Sequence, residues 1–226
     1  MVVAAALEVA FYPKFKNQNE KGSLVEERDG FSQTSVGFEE KMKDGDHVVV
    51  VSVKHSGSLG MNSGAQFNAK NSVQNHFTRV HETMARQYFT SLCDGDESAA
   101  QQKWLKFSGE SQRLCIGAEV VSCATGDHGA RANHNYFVVT SVADLDASEE
   151  DQRFWDPFKI MEFCTRHQLP STEQFVFYTN ESFKNFCGLY DSQFIHGTDS
   201  TFMKPISEMA DECFQPVKHS FVQGEI

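Results

Sequence analysis

The stretch VSVKHSGSLG, residues 51–60, closes a hydrophobic run, DHVVVVSV at 46–53, with one lysine and a glycine–serine turn. A valine-rich segment of this length favours a strand. Because it is nearly all valine, the strand over 46–54 is expected to be buried on both faces. It delivers a single cation, Lys54, into HSGSLGMNSGAQFNAKNS. The glycines of that segment predict a loop or a short hairpin.

Three readings of Lys54 stand on these residues. It is a surface lysine beside an ordinary turn, a phosphate-binding lysine, or a nucleophilic amine. Gly57 and Gly60 would let a ligand's phosphates approach the backbone closely. The order G-x-x-x-x-G-K-[ST] is missing, which argues against a simple phosphate-cradling loop. A K-x-x-G tetrapeptide is short enough for chance to produce many.

The nucleophile reading has a definite physical requirement, since a protonated ammonium cannot attack phosphorus. A free lysine titrates near about 10.4, so neutrality at pH 7 takes a drop of about 3 pH units, or about 4 kcal/mol. Desolvation beside a buried strand and nearby cations are the means. The product would be a phosphoramidate, Lys–AMP, formed from ATP with loss of pyrophosphate. Metal ions and further cations would neutralise the polyphosphate.

The whole chain bounds the problem. Its 226 residues hold one large domain or two small ones. A net charge of −11 and a pI of about 5.2 argue against a protein that coats nucleic acid, while leaving room for a small basic pocket. No stretch reaches the roughly 20 apolar residues of a membrane helix, so no membrane partner is expected. The N-terminal MVVAAALEVAF is short, lacks a basic leader and contains Glu8, against a signal peptide. Cysteines at 93, 115, 123, 164, 187 and 213 show no C-x-x-C spacing. Free thiols and a reducing compartment, nucleus or cytoplasm, are expected.

Along the chain, residues 16–45 are polar loops or a helix between loops. Phe77, Val80, Met84 and Tyr88 recur at helical spacing and predict a helix over 75–91. A second short helix is expected over 97–107. LCIGAEVVSCA at 114–124 and NYFVVTSV at 135–142 read as strands joined by the turn formers GDHGARANH. An acidic loop at 144–153 precedes a helix over 157–168 that stops before Pro170. QFVFYT at 174–179 reads as a strand leading to Asn180, a cap for a helix to about Phe194. A last strand is expected at 218–223. This irregular mixture of strands and helices predicts an α+β fold.

Candidate partners for Lys54 follow. Glu119, a carboxylate among apolar residues, is costly to bury unless partnered or facing a cavity. It binds a ribose hydroxyl or a metal, or it is an edge-strand glutamate facing water. Lys70 and Asn71, after the glycine-rich turn, bind phosphate or lie in a solvated loop. Lys14, in FYPKFKN, is a packed lysine or one whose stem covers aromatic surface. GDHG at 126–129 reads better as a turn than as a metal site, because adjacent side chains diverge; His128 can touch a ligand from that loop.

Together these segments carry a resemblance. VSVKHSGSLGMNSGAQFNAKNS resembles the motif I region of plant-type tRNA ligases. LCIGAEVVSCATGDHGARANHNYFVVTSV is similar to the family's next signature, a glutamate-bearing strand, an L-G-D-H-G-type turn and a further strand. KIMEFCTRHQLPST, FVFYTNESFKNFCGLYD, ISEMADECFQPVKHSFVQGEI and the upstream FYPKFKNQNE continue it in collinear order. The resemblance implies one adenylyltransferase domain over 1–226. Its fold would be α+β, a nucleotidyltransferase core of antiparallel sheets with flanking helices, related to RNA and DNA ligases and ATP-grasp-like. It implies that Lys54 takes AMP, that Gly57 completes K-x-x-G and that Glu119 contacts the ribose. Lys70 and Lys14 would lie near phosphates, and His55 would join the nucleotide-binding set; no metal ligand is assigned. It implies ATP and Mg2+ as cofactors and RNA, the tRNA exon halves, as partner. AMP would pass to an RNA 5′-phosphate, and a 3′-hydroxyl would then displace it.

The sequence departs from the pattern in places. It stops at Ile226, ahead of the family's E-G-L-V-like motif IV and lysine-bearing motif V. The fold is therefore expected to be C-terminally incomplete, and the isolated chain inactive or weak. Gly60 stands where the family often has a bulky residue. The alternative reading is a catalytically inactive relative that binds nucleotide or RNA weakly.

Overall fold

A computed structural model describes residues 47–70, 72–125, 135–148 and 153–186. The expectations that concern Lys14, Asn71, the GDHG turn with His128, and everything beyond residue 186 lie outside the described residues. The chain divides into two units, which exchange at Val53/Lys54 and at Thr172/Glu173.

The first unit is built on four antiparallel strands: β2 (Ser58–Ser63), β3 (Gln66–Ala69), β4 (Leu114–Val121) and β5 (Tyr136–Asp144), in the order β3-β2-β4-β5. The glycine-rich segment after Lys54 is thus a true hairpin. Ser63 pairs with Gln66, leaving Gly64 and Ala65 as a two-residue connection. Gly64 has φ +54°, the positive angle such a turn requires. β4 and β5 pair along their whole lengths, with a register shift at Gly117/Ala118.

Three helices cover one face of this sheet. Asn75 caps α1 (His76–Ser91), its side chain accepting the Thr78 N–H at 2.9 Å. Asp96 caps α2 (Glu97–Glu110), which runs three residues beyond the expected end. Asp156 caps α3 (Pro157–His167), with proline in the first turn. Gln168 takes the left-handed conformation at φ +56°, ending that helix ahead of Pro170. Phe67 stacks on Trp104 with centroids 5.7 Å apart, and Phe89 meets Trp104 edge-on. Tyr88, Phe107 and Phe137 complete this aromatic core. The opposite face carries a smaller cluster of Met61, Cys115, Ala143 and Leu145 with Leu59 and Phe154.

The apolar stripe of α1 differs from its sequence reading. Met84 and Tyr88 are buried, but Phe77 is 37% exposed and Val80 half-buried. His81, with 2% exposure, takes the inner position instead. A β-carbon on Gly60 would stand 2.4 Å from His81 Nδ1 and 2.8 Å from its Cγ. The imidazole therefore fills the room of a β2 side chain, which is the physical reason this position is glycine here.

In the second unit, β1 (Val49–Ser52) pairs antiparallel with β6 (Gln174–Phe177), matching Val51 to Phe175 and Val49 to Phe177. Phe175, Phe177 and Phe186 are buried together, against Val49, Val51 and Val53. The expected double-sided burial of β1 is corrected: Val49, Val50 and Val51 are half-buried and Ser52 is exposed, because this sheet has only two strands among the described residues. The helical residues from 180 are capped by Thr179, not Asn180; the Thr179 hydroxyl accepts the Ser182 N–H at 3.1 Å. Among the described residues no helix is long and apolar enough to cross a membrane.

Burial pushes the His81 imidazole down to about 4. The folded form thus resists a proton that the unfolded chain accepts near about 6.5, so stability is complete above that pH and is lost as pH falls toward about 4. The loss is on the order of 3 kcal/mol. A proton-NMR titration of the His81 ring is expected to give a midpoint near 4, and urea unfolding of His81→Leu is expected to lack this part of the acid loss. A midpoint near 6.5 would contradict it.

Candidate functional site: the Lys54 loop on the Glu119 strand

Antiparallel pairing gathers four chain segments at one end of the sheet. β2 begins there and β3 ends there, since Gly60 pairs with Ala69. β4 ends there and β5 begins there, since Ser58 pairs with Val120 and Val121 with Tyr136. The loop from Lys54 to Gly57 enters β2 at this end, and Lys70 follows the last residue of β3.

One hydrogen bond fixes the loop. The Gly57 N–H donates to Glu119 Oε1 at 2.7 Å, a charge-assisted contact across 62 residues of sequence. Glu119 is half-buried on an interior strand, between β2 and β5. It is therefore not the water-facing edge glutamate of the alternative reading. Gly57 lies flat on the end of β4. A β-carbon there would stand 2.4 Å from the Val120 carbonyl oxygen and 2.8 Å from its carbon. The exclusion is steric: backbone atoms block the position, and only glycine lets the loop reach the carboxylate.

A second contact holds the loop from β5. His55 Nδ1 and the Tyr136 hydroxyl are 3.2 Å apart, with the rings edge-on and their centroids 5.6 Å apart. Burial and, secondarily, the Lys54 charge lower the His55 pKa, favouring neutral imidazole. His55 Nε2 is buried without a hydrogen-bond partner. Burial and then the Glu119 charge raise the Tyr136 pKa, which keeps its hydroxyl protonated. His76 at the start of α1 meets the Ala124 carbonyl oxygen at 2.6 Å and ties that helix to the short turn, Cys123–Thr125, that follows β4.

Lys54 itself is exposed, its Nζ 3.5 Å from the His55 carbonyl oxygen. The expected dry strand terminus is thus corrected. The strand before it is half-buried, and Lys54 stands exposed three residues ahead of Gly57. Lys70 is also exposed, at the same end of the sheet. Among the described residues no three His, Cys, Asp or Glu side chains gather as a metal site. Of the expected site residues, Gly57 and Glu119 are joined directly, and His55 and Lys54 sit on the same loop. Tyr136 was not among the expected residues. Its position as the first residue of β5, opposite the end of the glutamate strand, was the available signal.

The fold thus has a lysine-bearing K-x-x-G loop clasped by a strand glutamate in an antiparallel α+β unit. No protein-family model matches the chain, and no solved structure matches it. Its sequence is 32% identical over 227 aligned residues, 98% of the chain, to tRNA ligase 1 of Arabidopsis thaliana. The chain spans 19% of that protein's length. It is therefore related to a region of a tRNA ligase, and the similarity runs through the Lys54 loop, β4 and β5.

Replacing Gly57 by alanine is expected to push the loop off β4 and break the Glu119 contact. Chemical denaturation should report a loss of about 1–3 kcal/mol. A wild-type unfolding midpoint for Gly57→Ala would contradict the steric account.

Proposed function

We propose that this chain is the ATP-dependent adenylyltransferase region of an RNA ligase of the plant tRNA-ligase type. The observation that carries the reading is the Gly57–Glu119 hydrogen bond, which brings the glycine of K-x-x-G onto the strand glutamate. The sequence relation to a tRNA ligase supports the same reading.

In the first step Lys54 Nζ attacks the α-phosphorus of ATP. A P–N bond forms, the bond from that phosphorus to the bridging oxygen breaks as pyrophosphate leaves, and the amine's proton passes to solvent water at this exposed position. Lys54 is followed by a loop held at two points, by Tyr136 at His55 and by Glu119 at Gly57. The backbone that carries the amine is thereby held while the side chain moves to the phosphate. Glu119 spends one oxygen on Gly57 and has the other for a ribose hydroxyl. Lys70 and Lys14 stand for the cations that would neutralise phosphate charge. Mg2+ usually binds through one or two carboxylates plus the phosphates, and supplies charge neutralisation of the leaving pyrophosphate. In later steps AMP passes to an RNA 5′-phosphate, and a 3′-hydroxyl displaces it to join exon halves.

The exposure of Lys54 favours a second reading, a relative that binds nucleotide or RNA without forming the adduct. Incubation with α-labelled ATP and magnesium separates the two. The adenylyltransferase reading expects acid-labile AMP on the chain, weak in the isolated polypeptide and absent in Lys54→Arg, which keeps the cation but offers no equivalent nucleophile. Label that survives Lys54→Arg moves the nucleophile elsewhere. Nucleotide binding without any label establishes the binding-only reading.

A further inference from the structure

We propose that the exposed surface formed by the Lys70 turn and the first turn of α1 carries a single-stranded RNA end at the Lys54 side of the sheet. The inference rests on the RNA-ligase reading above and deepens it, by placing the nucleic-acid strand on named residues.

Charge marks this surface first. Residues 47–81 contain no aspartate or glutamate, in a chain of 226 residues that carries 31 of them. The same stretch holds Lys54, Lys70 and Arg79, all three exposed. The next acid along the chain, Glu82, is held by Arg86 at 3.1 Å. On a protein of net charge −11, most of the surface repels a polyanion, and this part attracts one.

The fold brings the pieces together. Ala69 and Ser72 bond to each other through both backbone groups, at 2.8 and 3.2 Å, so the chain reverses through Lys70 as β3 ends. The Thr78 hydroxyl donates to the Ser72 carbonyl oxygen at 3.5 Å and sets that reversal against the first turn of α1. On this turn the His76 and Phe77 rings lie with centroids 6.1 Å apart. Arg79, three residues from His76, is its neighbour on the helix surface. Phe77 is 37% exposed and Val73, just ahead of the helix, 57% exposed. An exposed aromatic ring among cations is the pairing that single strands need: bases stack on the ring while lysine and arginine meet the phosphates. The surface is continuous with the candidate site. Lys70 lies at the sheet end where the Lys54 loop enters β2, and the His76 contact with Ala124 joins α1 to the turn after the Glu119 strand.

Fluorescence anisotropy of the 226-residue chain with a short 5′-phosphorylated single-stranded RNA, without ATP and over a salt series, tests this. Phe77→Ala is expected to weaken binding about fivefold or more with the salt slope unchanged, and Phe77→Tyr to retain it. Lys70→Gln and Arg79→Gln are each expected to lower the slope of log affinity against log salt by about 0.7. Phe158→Ala and Arg166→Gln, exposed on α3, should bind RNA as wild type does. Failure of the wild type to bind, binding that ignores Phe77 and Arg79, or equal weakening by the α3 substitutions overturns the inference. So does self-association that depends on Phe77 with no effect on RNA, which would make this surface a contact between copies of the chain. Labelling of Lys54 by ATP is read separately. A labelled chain whose RNA binding ignores this surface loses the inference and keeps the adenylyltransferase reading. An unlabelled chain whose RNA binding depends on it keeps the inference and loses that reading.

Discussion

The hydrogen bond from the Gly57 N–H to Glu119 Oε1 is the constraint on which the site depends. It joins a loop to a strand 62 residues away at a point where backbone leaves no room for a side chain. A half-buried carboxylate on an otherwise buried strand demands a partner. The glycine amide supplies one, and the loop that carries Lys54 is fixed as a result. The β2–β4 pairing, which sets Ser58 opposite Val120 and Leu59 opposite Glu119, brings those two groups within 2.7 Å.

The scaffold behind that contact is ordinary in its forces. Aromatic side chains from β3, α1, α2 and β5 fill one side of the sheet. A smaller aliphatic cluster fills the other, where the strand alternation also directs Asn68 and Glu119. The two faces therefore divide the work. The helix-covered face supplies most of the burial, and the opposite face carries Glu119, which holds the Gly57 amide. His81 shows how closely the first face is fitted, since its ring occupies what would be the side chain of Gly60.

Much of the fold was legible in sequence because its signals are local. Asn75 and Asp96 stand at helix starts, Pro170 beyond a helix end, and valine and aromatic runs mark β4, β5 and β6. What escaped depends on pairing. A valine run reads as a strand buried on both faces, yet β1 has one partner, so its valines stay half-buried and Lys54 lies exposed. Periodicity gave α1 a stripe of Phe77, Val80, Met84 and Tyr88 because it counts only apolar residues; Met84 and Tyr88 are buried, while Phe77 is exposed and His81 takes an inner position. Thr179 competed with Asn180 for the same cap, and the two are equivalent until the backbone is seen. In the site, the K-x-x-G loop and Glu119 were readable through the family resemblance. Tyr136 was not, because register alone sets it against the loop.

The most direct test is the Gly57 amide itself. Hydrogen exchange followed by NMR is expected to find this proton protected in the free chain, although it lies in a loop outside the strands. Glu119→Ala should return it to the rate of an open loop while the β2–β4 amides keep their protection. A Gly57 amide that exchanges at the open-loop rate in the wild type, or one indifferent to Glu119→Ala, would contradict the clasp and the site built on it.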